Sequence, residues 1–248
     1  MYSVDKQYEK KHHALEKTHW WFIARRNIVH RILKKTDNKS RILDLGCCGG
    51  SLLLSLQKQG FSNLHGIDLS ENAIKLCKSR GLPNVSLMNG EKMEFKDNSF
   101  DVIIISDVLE HIKNDSAALE ESLRVLRPSG KLIVFVPAFD FLWSAHDEVL
   151  AHHRRYSAKK LNEKLKSAGF LIKRTSYWNF FLFIPTFMLK ILSKFSKKST
   201  DQLHRSNPII NFFLARLLFF ENFLLDYISF PFGVSVFSIA EKPRKNDI

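Results

Sequence analysis

The stretch Arg41-Ile-Leu-Asp-Leu-Gly-Cys-Cys-Gly-Gly50 decides the fold. Its first half, 41–45, is short and apolar, which predicts a buried strand. Glycines and other small residues follow at once, and such residues let the backbone pass close to a ligand. A helical pattern at 51–58 comes next and ends at Gly60. A strand, a glycine-bearing loop and a helix in this order indicate the first unit of a doubly wound sheet.

The rest of the chain continues this alternation of strands and helices. Strands that alternate with helices pair in parallel within one sheet. We therefore predict an α/β fold with a doubly wound, seven-stranded and mostly parallel sheet. The further strands are predicted at 65–68, 84–88, 101–106, 131–136, 170–178 and 235–240, with helices at 5–35, 70–80, 116–126 and 157–168.

The spacing of these elements divides the chain into four parts. The last two predicted strands are separated by about 55 residues dense in Phe, Leu and Ile, too long for an ordinary connection. The predicted parts are an N-terminal helical region at 1–36, a core at 37–178, a hydrophobic helical insertion at 179–233, and a last strand with a tail at 234–248.

Composition narrows the functional class only in part. The 248 residues are 45% hydrophobic and 25% charged, which is typical of a globular domain and excludes wholesale disorder. A net charge of +13 can attract RNA, an anionic membrane or a phosphorylated substrate. The alternative is a basic surface that serves only solubility. The cysteines Cys47, Cys48 and Cys77 form neither a disulfide framework nor a zinc pattern, so no metal site is predicted. Without an apolar leader at the N-terminus, a reducing cytoplasmic setting is expected.

The glycine-bearing loop departs from the dinucleotide fingerprint Gly-x-Gly-x-x-Gly, because Cys48 and Ser51 stand at its later glycines. The loop instead resembles the first motif of class I S-adenosylmethionine-dependent methyltransferases, Asp/Glu-x-Gly-x-Gly-x-Gly. Asp44, Gly46 and Gly50 match this motif, and Cys48 replaces the middle glycine. The resemblance implies a Rossmann-like methyltransferase fold with S-adenosyl-L-methionine as the cofactor.

Later landmarks of that family follow in order over roughly residues 40–137. Asp68 lies 24 positions after Asp44, where a carboxylate can accept hydrogen bonds from the ribose hydroxyls. The resemblance places Glu91 near the adenine amino group. The alternatives remain that Asp68 initiates a helix, Glu91 is a solvated turn residue and Asp107 is a cap. The predicted cofactor-binding residues are Trp21, Arg25, Asp44, Gly46, Cys48, Gly50, Asp68, Leu69, Gly90, Glu91, Lys92 and Asp107.

Candidate catalytic groups follow the fourth and fifth strands. A hydroxyl nucleophile needs a base, for which histidine is the usual choice, and adjacent arginines can grip phosphate or carboxylate. The alternatives are a polar loop capped by Ser157 and, for His111, the first turn of a helix over the sheet. The predicted catalytic residues are His111, His146 and His153, and the predicted substrate-binding residues are Trp20, Asp147, His152, Arg154, Arg155 and Tyr156.

The N-terminal region carries a dense aromatic cluster beginning at His19. In similar methyltransferases the N-terminal helix lies over the cofactor, so the resemblance implies that 1–36 is a helical lid. Trp20 or Trp21 then walls the pocket, and Arg25 pairs with the methionine carboxylate of the cofactor. The alternative is that the two tryptophans pack against the sheet.

The insertion contains two oily segments, neither of which is a clean span of about 20 apolar residues. The first, 179–192, is broken by Pro185, and the second, 208–232, contains charged residues. On a helical wheel, one narrow face of the second segment carries Asn211, Ala215, Asn222 and Asp226. A basic patch, Lys194–Lys198, lies between the segments. Oily helices beside lysines suit the surface of an anionic bilayer, whereas a cap over the sheet or a dimer interface is the alternative.

A weaker resemblance extends over the whole chain. The segments Trp-Trp-Phe-x-Ala-Arg-Arg, His-x-Arg-Arg-Tyr-Ser and Gly-Val-Ser-Val are similar to those of bacterial methyltransferases of glycan and lipid-linked sugar synthesis. We predict O-methylation of a small-molecule, glycan or lipid-linked acceptor by a cytoplasmic protein held at the inner face of the membrane through 179–232. The alternatives are an RNA methyltransferase and a noncatalytic cofactor-binding interaction protein. Enzymes that methylate an exocyclic base amine usually carry Asn/Asp-Pro-Pro-Tyr/Phe after the fourth strand, and its absence here counts against that subclass but not against all RNA methylation. Nucleic acid is not the expected partner, and no obligate protein partner is implied.

Overall fold

The computed structural model describes residues 6–195 and 207–244, with side chains for 11–191 and 207–244. One seven-stranded sheet with the order β3-β2-β1-β4-β5-β7-β6 runs through the molecule, and β7 is antiparallel to both of its neighbours. The predicted α/β fold and mostly parallel sheet are confirmed. The strands are β1 Arg41–Leu45, β2 Asn63–Asp68, β3 Val85–Leu87, β4 Phe100–Ser106, β5 Leu126–Pro137, β6 Leu171–Trp178 and β7 Ser235–Glu241.

Helices cover both faces of the sheet, as parallel pairing requires. The central strand β4 carries Val102–Ile105, four fully buried β-branched residues that suit a strand covered on both sides. The helices are α1 Lys6–Leu15, α2 Trp20–Leu33, α3 Ser51–Gln57, α4 Glu71–Ser79, α5 Asp115–Val125, α6 Ala145–Val149, α7 Ala158–Ser167, α8 Phe183–Phe195 and α9 Pro208–Leu224.

The strand order reverses between β1 and β4, which lie side by side in parallel. Ligands of doubly wound sheets bind beyond the carboxyl ends of the strands at such a switch point. The loops after β1, β2 and β4 meet there, and the fold therefore directs attention to the residues that follow these three strands.

The single N-terminal helix predicted at 5–35 is two helices, α1 and α2, separated at 16–19. The backbone carbonyl of Glu16 accepts a hydrogen bond from Arg26 at 2.5 Å, and the imidazole of His19 caps α2 by accepting from the backbone N–H of Trp21 at 3.4 Å. These side-chain contacts replace helical hydrogen bonds at the break. A periodicity pattern does not detect them, because it records the spacing of apolar residues and not hydrogen bonds.

The fifth strand is longer than predicted, since β5 begins at Leu126 rather than at 131. Its pairing with β4 is irregular between Phe100 and Val102, and Ser129 has a positive φ of 65°. The turn signal at 128–130 therefore marks an irregularity within the strand and not its beginning.

Helices α8 and α9 form the insertion between β6 and β7. None of the described helices is long and apolar enough to cross a membrane. Helix α9 packs along α2 with its narrow polar face inward: Asn222 is fully buried, and Asp226, just after the helix, forms an ion pair with Arg31. Of the predicted basic patch, 196–198 and the side chains of 194 and 195 lie outside the described residues.

Candidate active site

The loop after β1 makes a tight turn that only small residues fit. Gly46 and Gly50 both have φ of 77°, a region that favours glycine. A Cβ atom on Gly46 would also overlap the side chain of Val108 from the loop after β4. Cys48 adopts a φ of 48°, which explains why glycine is usual at this position of the motif. The loop thus brings its backbone close to the switch point.

Asp68, at the end of β2, holds this loop in place. One of its carboxylate oxygens accepts a hydrogen bond from the backbone N–H of Cys48 at 2.9 Å, and the other accepts from the N–H of Ser70 at 2.9 Å. The side chain is half-buried, and the neighbouring Leu69 is 53% exposed. A carboxylate has about four lone-pair sites, so the same group can accept further hydrogen bonds.

Three carboxylates crowd around the glycine-bearing loop. Burial, together with the charges of Glu16 and Asp68, raises the pKa of Asp44 to about 8. Glu16, which follows α1, is buried and accepts from the hydroxyl of Ser51 at 3.0 Å and from the N–H of Gly49 at 3.4 Å. Sequence reasoning missed Glu16, because no local pattern links the N-terminal region to the loop. The two neighbouring charges disfavour ionisation of Asp44, and a cationic ligand would favour its carboxylate form.

The residues after β3 lie at the same edge of the sheet. Gly90 is buried, and a Cβ atom there would come within 3.1 Å of Leu45. Glu91 is half-buried and accepts from the N–H of Asn114, the residue that caps α5, at 3.1 Å. Lys92 is exposed. Glu91 thus ties the loop after β3 to the beginning of α5.

Arg25 has a different partner from the one predicted. Its guanidinium lies 3.2 Å from the carboxylate of Asp107 and 4.1–4.6 Å from the ring centroids of Trp21, Phe135 and Trp178. Burial lowers the pKa of Arg25 to about 10, and Asp107 opposes that shift. The Asp107 contact uses Nη2, whereas Nε and Nη1 are buried and have no hydrogen-bond partner among the described residues, so the pairing of Arg25 with the cofactor carboxylate stays a prediction.

Both tryptophans of α2 are partly buried against the core, and their other contacts differ. Trp21 packs against Trp178 of the sheet, with ring centroids 5.7 Å apart, and forms one wall of the box around Arg25. Trp20 is half-buried, and its backbone N–H donates to Asn211 of α9 at 2.8 Å. The insertion therefore fixes the beginning of α2.

The predicted substrate residues Asp147 and Arg155 bind each other inside the protein. Arg155 donates Nε and Nη2 to the two carboxylate oxygens of Asp147 at 2.8 and 3.0 Å, and it donates Nη1 to the carbonyl of Ala138 at 3.0 Å. Burial favours a higher pKa for Asp147, but hydrogen bonds from His152 and Arg155 hold it well below its usual range. Both groups are buried, so this pair fixes the loop and does not grip an acceptor.

Tyr156 and Arg154 converge on Asp115 at the beginning of α5. The Tyr156 hydroxyl donates to Asp115 at 2.8 Å, and Arg154 and Lys164 lie 2.8 and 2.6 Å from the same carboxylate. Burial and then Asp115 raise the pKa of Tyr156. Tyr156 is buried, contrary to its predicted contact with substrate, whereas Arg154 keeps a partly exposed side chain.

The candidate histidines do not form one group. His111 and His152 are brought together, with ring centroids 4.5 Å apart, while His153 is exposed and His146 is half-buried on α6. Burial lowers the pKa of His111 to about 3. An imidazole with so low a pKa is a weak base, which counts against His111 as the proton acceptor.

Glu110 is a buried group that the predicted site omitted. It is 1% exposed, and burial together with the charge of Asp107 raises its pKa well above the usual value. Its Oε2 has no hydrogen-bond partner among the residues that the structure describes. The adjacent acid and histidine at 110–111, three residues after Asp107, were the available signal in the sequence.

Comparison with known proteins agrees with this geometry. A family described as a methyltransferase domain matches residues 43–134. The chain is 33% identical over 145 residues to the uncharacterized protein MJ1123 of Methanocaldococcus jannaschii, covering 56% of this chain and 68% of that protein. It is 28% identical over 169 residues to a Mycolicibacterium smegmatis protein named as an S-adenosylmethionine-dependent methyltransferase, covering 65% and 63%.

A solved structure of similar fold contains the cofactor. Phosphoethanolamine N-methyltransferase 2 from Haemonchus contortus, in complex with S-adenosyl-L-methionine, aligns with a TM-score of 0.57 at 18% identity, covering 88% of this chain and 52% of that one. At this identity the likeness concerns the fold alone.

The residues at the switch point fit S-adenosylmethionine. The cofactor carries a sulfonium and an ammonium, and the crowded carboxylates of Asp44, Glu16 and Asp68 can offset both positive charges. The side chain of Val108 leaves room only for glycine at position 46. Together with the matched family and relatives, this places the chain among the class I S-adenosylmethionine-dependent methyltransferases.

Proposed function

We propose that the protein transfers the methyl group of S-adenosylmethionine to an oxygen of an amphipathic acceptor, such as a lipid-linked sugar or another glycan, at a membrane surface. The cofactor supplies the reactive methyl group, and the transfer is an in-line displacement at its sulfonium. The contribution of the protein is therefore orientation and exclusion of water. The observation that carries the membrane part of the proposal is the outward apolar surface of α8 and α9.

On the cofactor side, each predicted residue has a physical task. Asp68 accepts hydrogen bonds from the ribose hydroxyls while it holds the glycine-bearing loop through Cys48. The exposed Leu69 provides an apolar contact for the adenine ring. Asp44 and Glu16 provide negative charge for the methionine portion. These tasks remain predictions, which the Asp68 and Asp44 variants below test.

In the described part of the insertion, polar side chains face the protein and large apolar side chains face outward, which is the reverse of an ordinary surface helix. In α9 Asn222 is fully buried, whereas Ile209 and Phe213 are 67% and 65% exposed. Helix α8 repeats this arrangement, since Lys190 is 9% exposed and Leu189 is 67% exposed. The large apolar side chains exposed on the two helices and the turn after α9 are Ile184, Phe187, Met188, Leu189, Ile191, Ile209, Ile210, Phe212, Phe213, Phe220, Phe223, Tyr227 and Ile228.

A bilayer is the occupant that this surface suits best. Exposed apolar patches of this extent mark protein or membrane contact sites. The chain as a whole carries a net charge of +13, which attracts an anionic membrane surface and repels a second copy of itself. An apolar face beside a strongly basic protein is typical of interfacial binding.

Vesicle co-sedimentation of the full chain tests the membrane part. We expect binding to vesicles of anionic phospholipid, and weaker binding to zwitterionic vesicles. Phe213→Ser with Ile209→Ser removes two side chains that would each contribute roughly 1–2 kcal/mol on partial burial, so affinity falls at least tenfold. Leu87→Ser is the matched control, because Leu87 is 52% exposed on the edge strand β3, away from the insertion. Equal loss in both variants would contradict the proposal.

An incorporation assay tests the acceptor. Cofactor with a labelled methyl group is incubated with the protein and a membrane extract, and the label should appear in the solvent-extractable lipid fraction. Label in RNA instead, with binding that falls steeply as salt rises, would favour the RNA methyltransferase. Cofactor binding without label in any fraction would favour a noncatalytic interaction protein.

A further inference from the structure

Two loops place three metal-ligating side chains together beside the candidate active site. Glu110 and His111 follow β4, and His152 lies in the loop before α7. One possible ligand atom from each of the three lies within 4.8 Å of the others. Asp107 is close enough for its charge to raise the pKa of Glu110 and for His152 to lower its own. The cluster is thus next to the switch point.

The buried pair of Asp147 and Arg155 fixes the orientation of His152. Its Nδ1 lies 2.9 Å from Asp147, and Asp147 is held by the two hydrogen bonds from Arg155. The Nδ1 of His111 lies 3.0 Å from the carbonyl oxygen of Leu150. Histidines that bind metals commonly donate the second ring nitrogen to a carboxylate or a backbone carbonyl in this way. Held in this way at Nδ1, each ring would coordinate a metal through Nε2.

Glu110 supplies a separate observation that indicates a cation. Its carboxyl is 1% exposed, and the Oε2 atom lacks a hydrogen-bond partner among the described residues. A buried polar atom without a partner costs about 1–3 kcal/mol, and more when it is charged. Asp107 adds a second negative charge nearby. A bound cation would offset both costs.

We propose that Glu110, His111 and His152 bind a divalent transition-metal ion of the Zn²⁺ class. Two imidazoles and one carboxylate form the protein ligands of many catalytic zinc sites, with a further position left for water or substrate. Imidazole ligands select against Mg²⁺, which prefers oxygen ligands alone. The two histidines therefore decide the class of metal.

A metal here would also supply what the histidines lack for O-methylation, and this consequence rests on the proposed function. Coordination lowers the pKa of a bound hydroxyl, so the acceptor can release its proton to water without a protein base. The acceptor oxygen then forms its bond to the methyl carbon as the bond from carbon to sulfur breaks, leaving a neutral thioether.

Calorimetric titration of the metal-depleted full chain with ZnCl₂ tests the site without cofactor or acceptor. We expect one equivalent of Zn²⁺ to bind, and Mg²⁺ not to compete. Glu110→Gln and His152→Gln should each weaken binding by at least ~100-fold, since loss of a mere supporting group costs 10–100-fold. His153→Gln is the matched control, because His153 is exposed in the same loop. Unfolding temperatures of the metal-free variants verify that each remains folded.

One competing site has to be separated from this one. His12, Glu16 and Cys48 also place possible ligand atoms within 4.8 Å of one another. Cys48→Ser should leave the stoichiometry unchanged. The proposal is overturned if Zn²⁺ does not bind, if Mg²⁺ displaces it, or if Cys48→Ser abolishes binding while His152→Gln does not. None of these outcomes depends on methyl transfer, so failure of the metal site and failure of the proposed function are distinguishable.

Discussion

The inward orientation of α9 predicts a large cost for Asn222→Ala. The Asn222 amide oxygen accepts from the indole N–H of Trp178 at 2.8 Å, and its Nδ2 donates to the carbonyl of Ala24 at 2.9 Å and to Asn27 at 3.0 Å. Trp178 is fully buried, so its N–H would be left without a partner at about 1–3 kcal/mol. With the loss of the two other bonds, the free energy of unfolding should fall by about 2–4 kcal/mol.

Asn211→Ala is the matched control on the same helix. Asn211 bonds to the backbone of Trp20 and Thr18, but it is half-buried, and water can replace it. Urea unfolding should show a loss of at most about 1 kcal/mol for this variant, with unchanged m-values for both. Trp178→Phe should cost less in the Asn222→Ala background than in the wild type. Similar losses for the two asparagines would refute the inward placement of the polar face, and with it the outward apolar surface.

The remaining predictions concern the cofactor and are read by calorimetry with S-adenosylmethionine. Asp68→Ala should lose about 1–3 kcal/mol of cofactor affinity, because the ribose hydroxyls would lack an acceptor, and unchanged affinity would reduce Asp68 to a support for the loop. Asp44, with a pKa of about 8, is largely protonated at pH 7, whereas a cationic cofactor favours its carboxylate. Affinity should therefore rise with pH up to about 8, with a proton released on binding at pH 7. Asp44→Asn should remove both effects, and the same pH dependence in that variant would assign it to another group.

The parts of the fold and site that could be predicted from sequence depend on local patterns. The loop after β1 combines a strand, glycines and a helix within a few residues, and Asp68 follows the next strand. Each signal is contiguous, and parallel strands bring their carboxyl ends to one edge of the sheet. Topology thus converts short patterns into a shared location without knowledge of any side-chain contact.

Contacts between distant segments could not be predicted in this way. The residue types suited Arg25 to a cofactor carboxylate, but the fold pairs it with Asp107 and surrounds it with rings from α2, β5 and β6. Likewise, the helical wheel of α9 identified a narrow polar face but not its direction. In the structure that face meets α2 through Asn222 and Asp226. A buried amide needs hydrogen-bond partners, and α2 provides them, whereas the apolar side chains on the other face of α9 need none.

The contacts of the His-x-Arg-Arg-Tyr-Ser segment indicate a positioning role for most of its side chains. Arg155 holds Asp147, Asp147 orients His152, and Tyr156 anchors the same loop to Asp115. The imidazole of His152 joins the cluster with Glu110, and the buried side chains of Asp147, Arg155 and Tyr156 hold its loop in place. A buried ion pair is weak support for stability, since desolvation offsets most of its attraction. The arrangement is better explained by the orientation that it imposes, which is what a metal-ligating histidine requires.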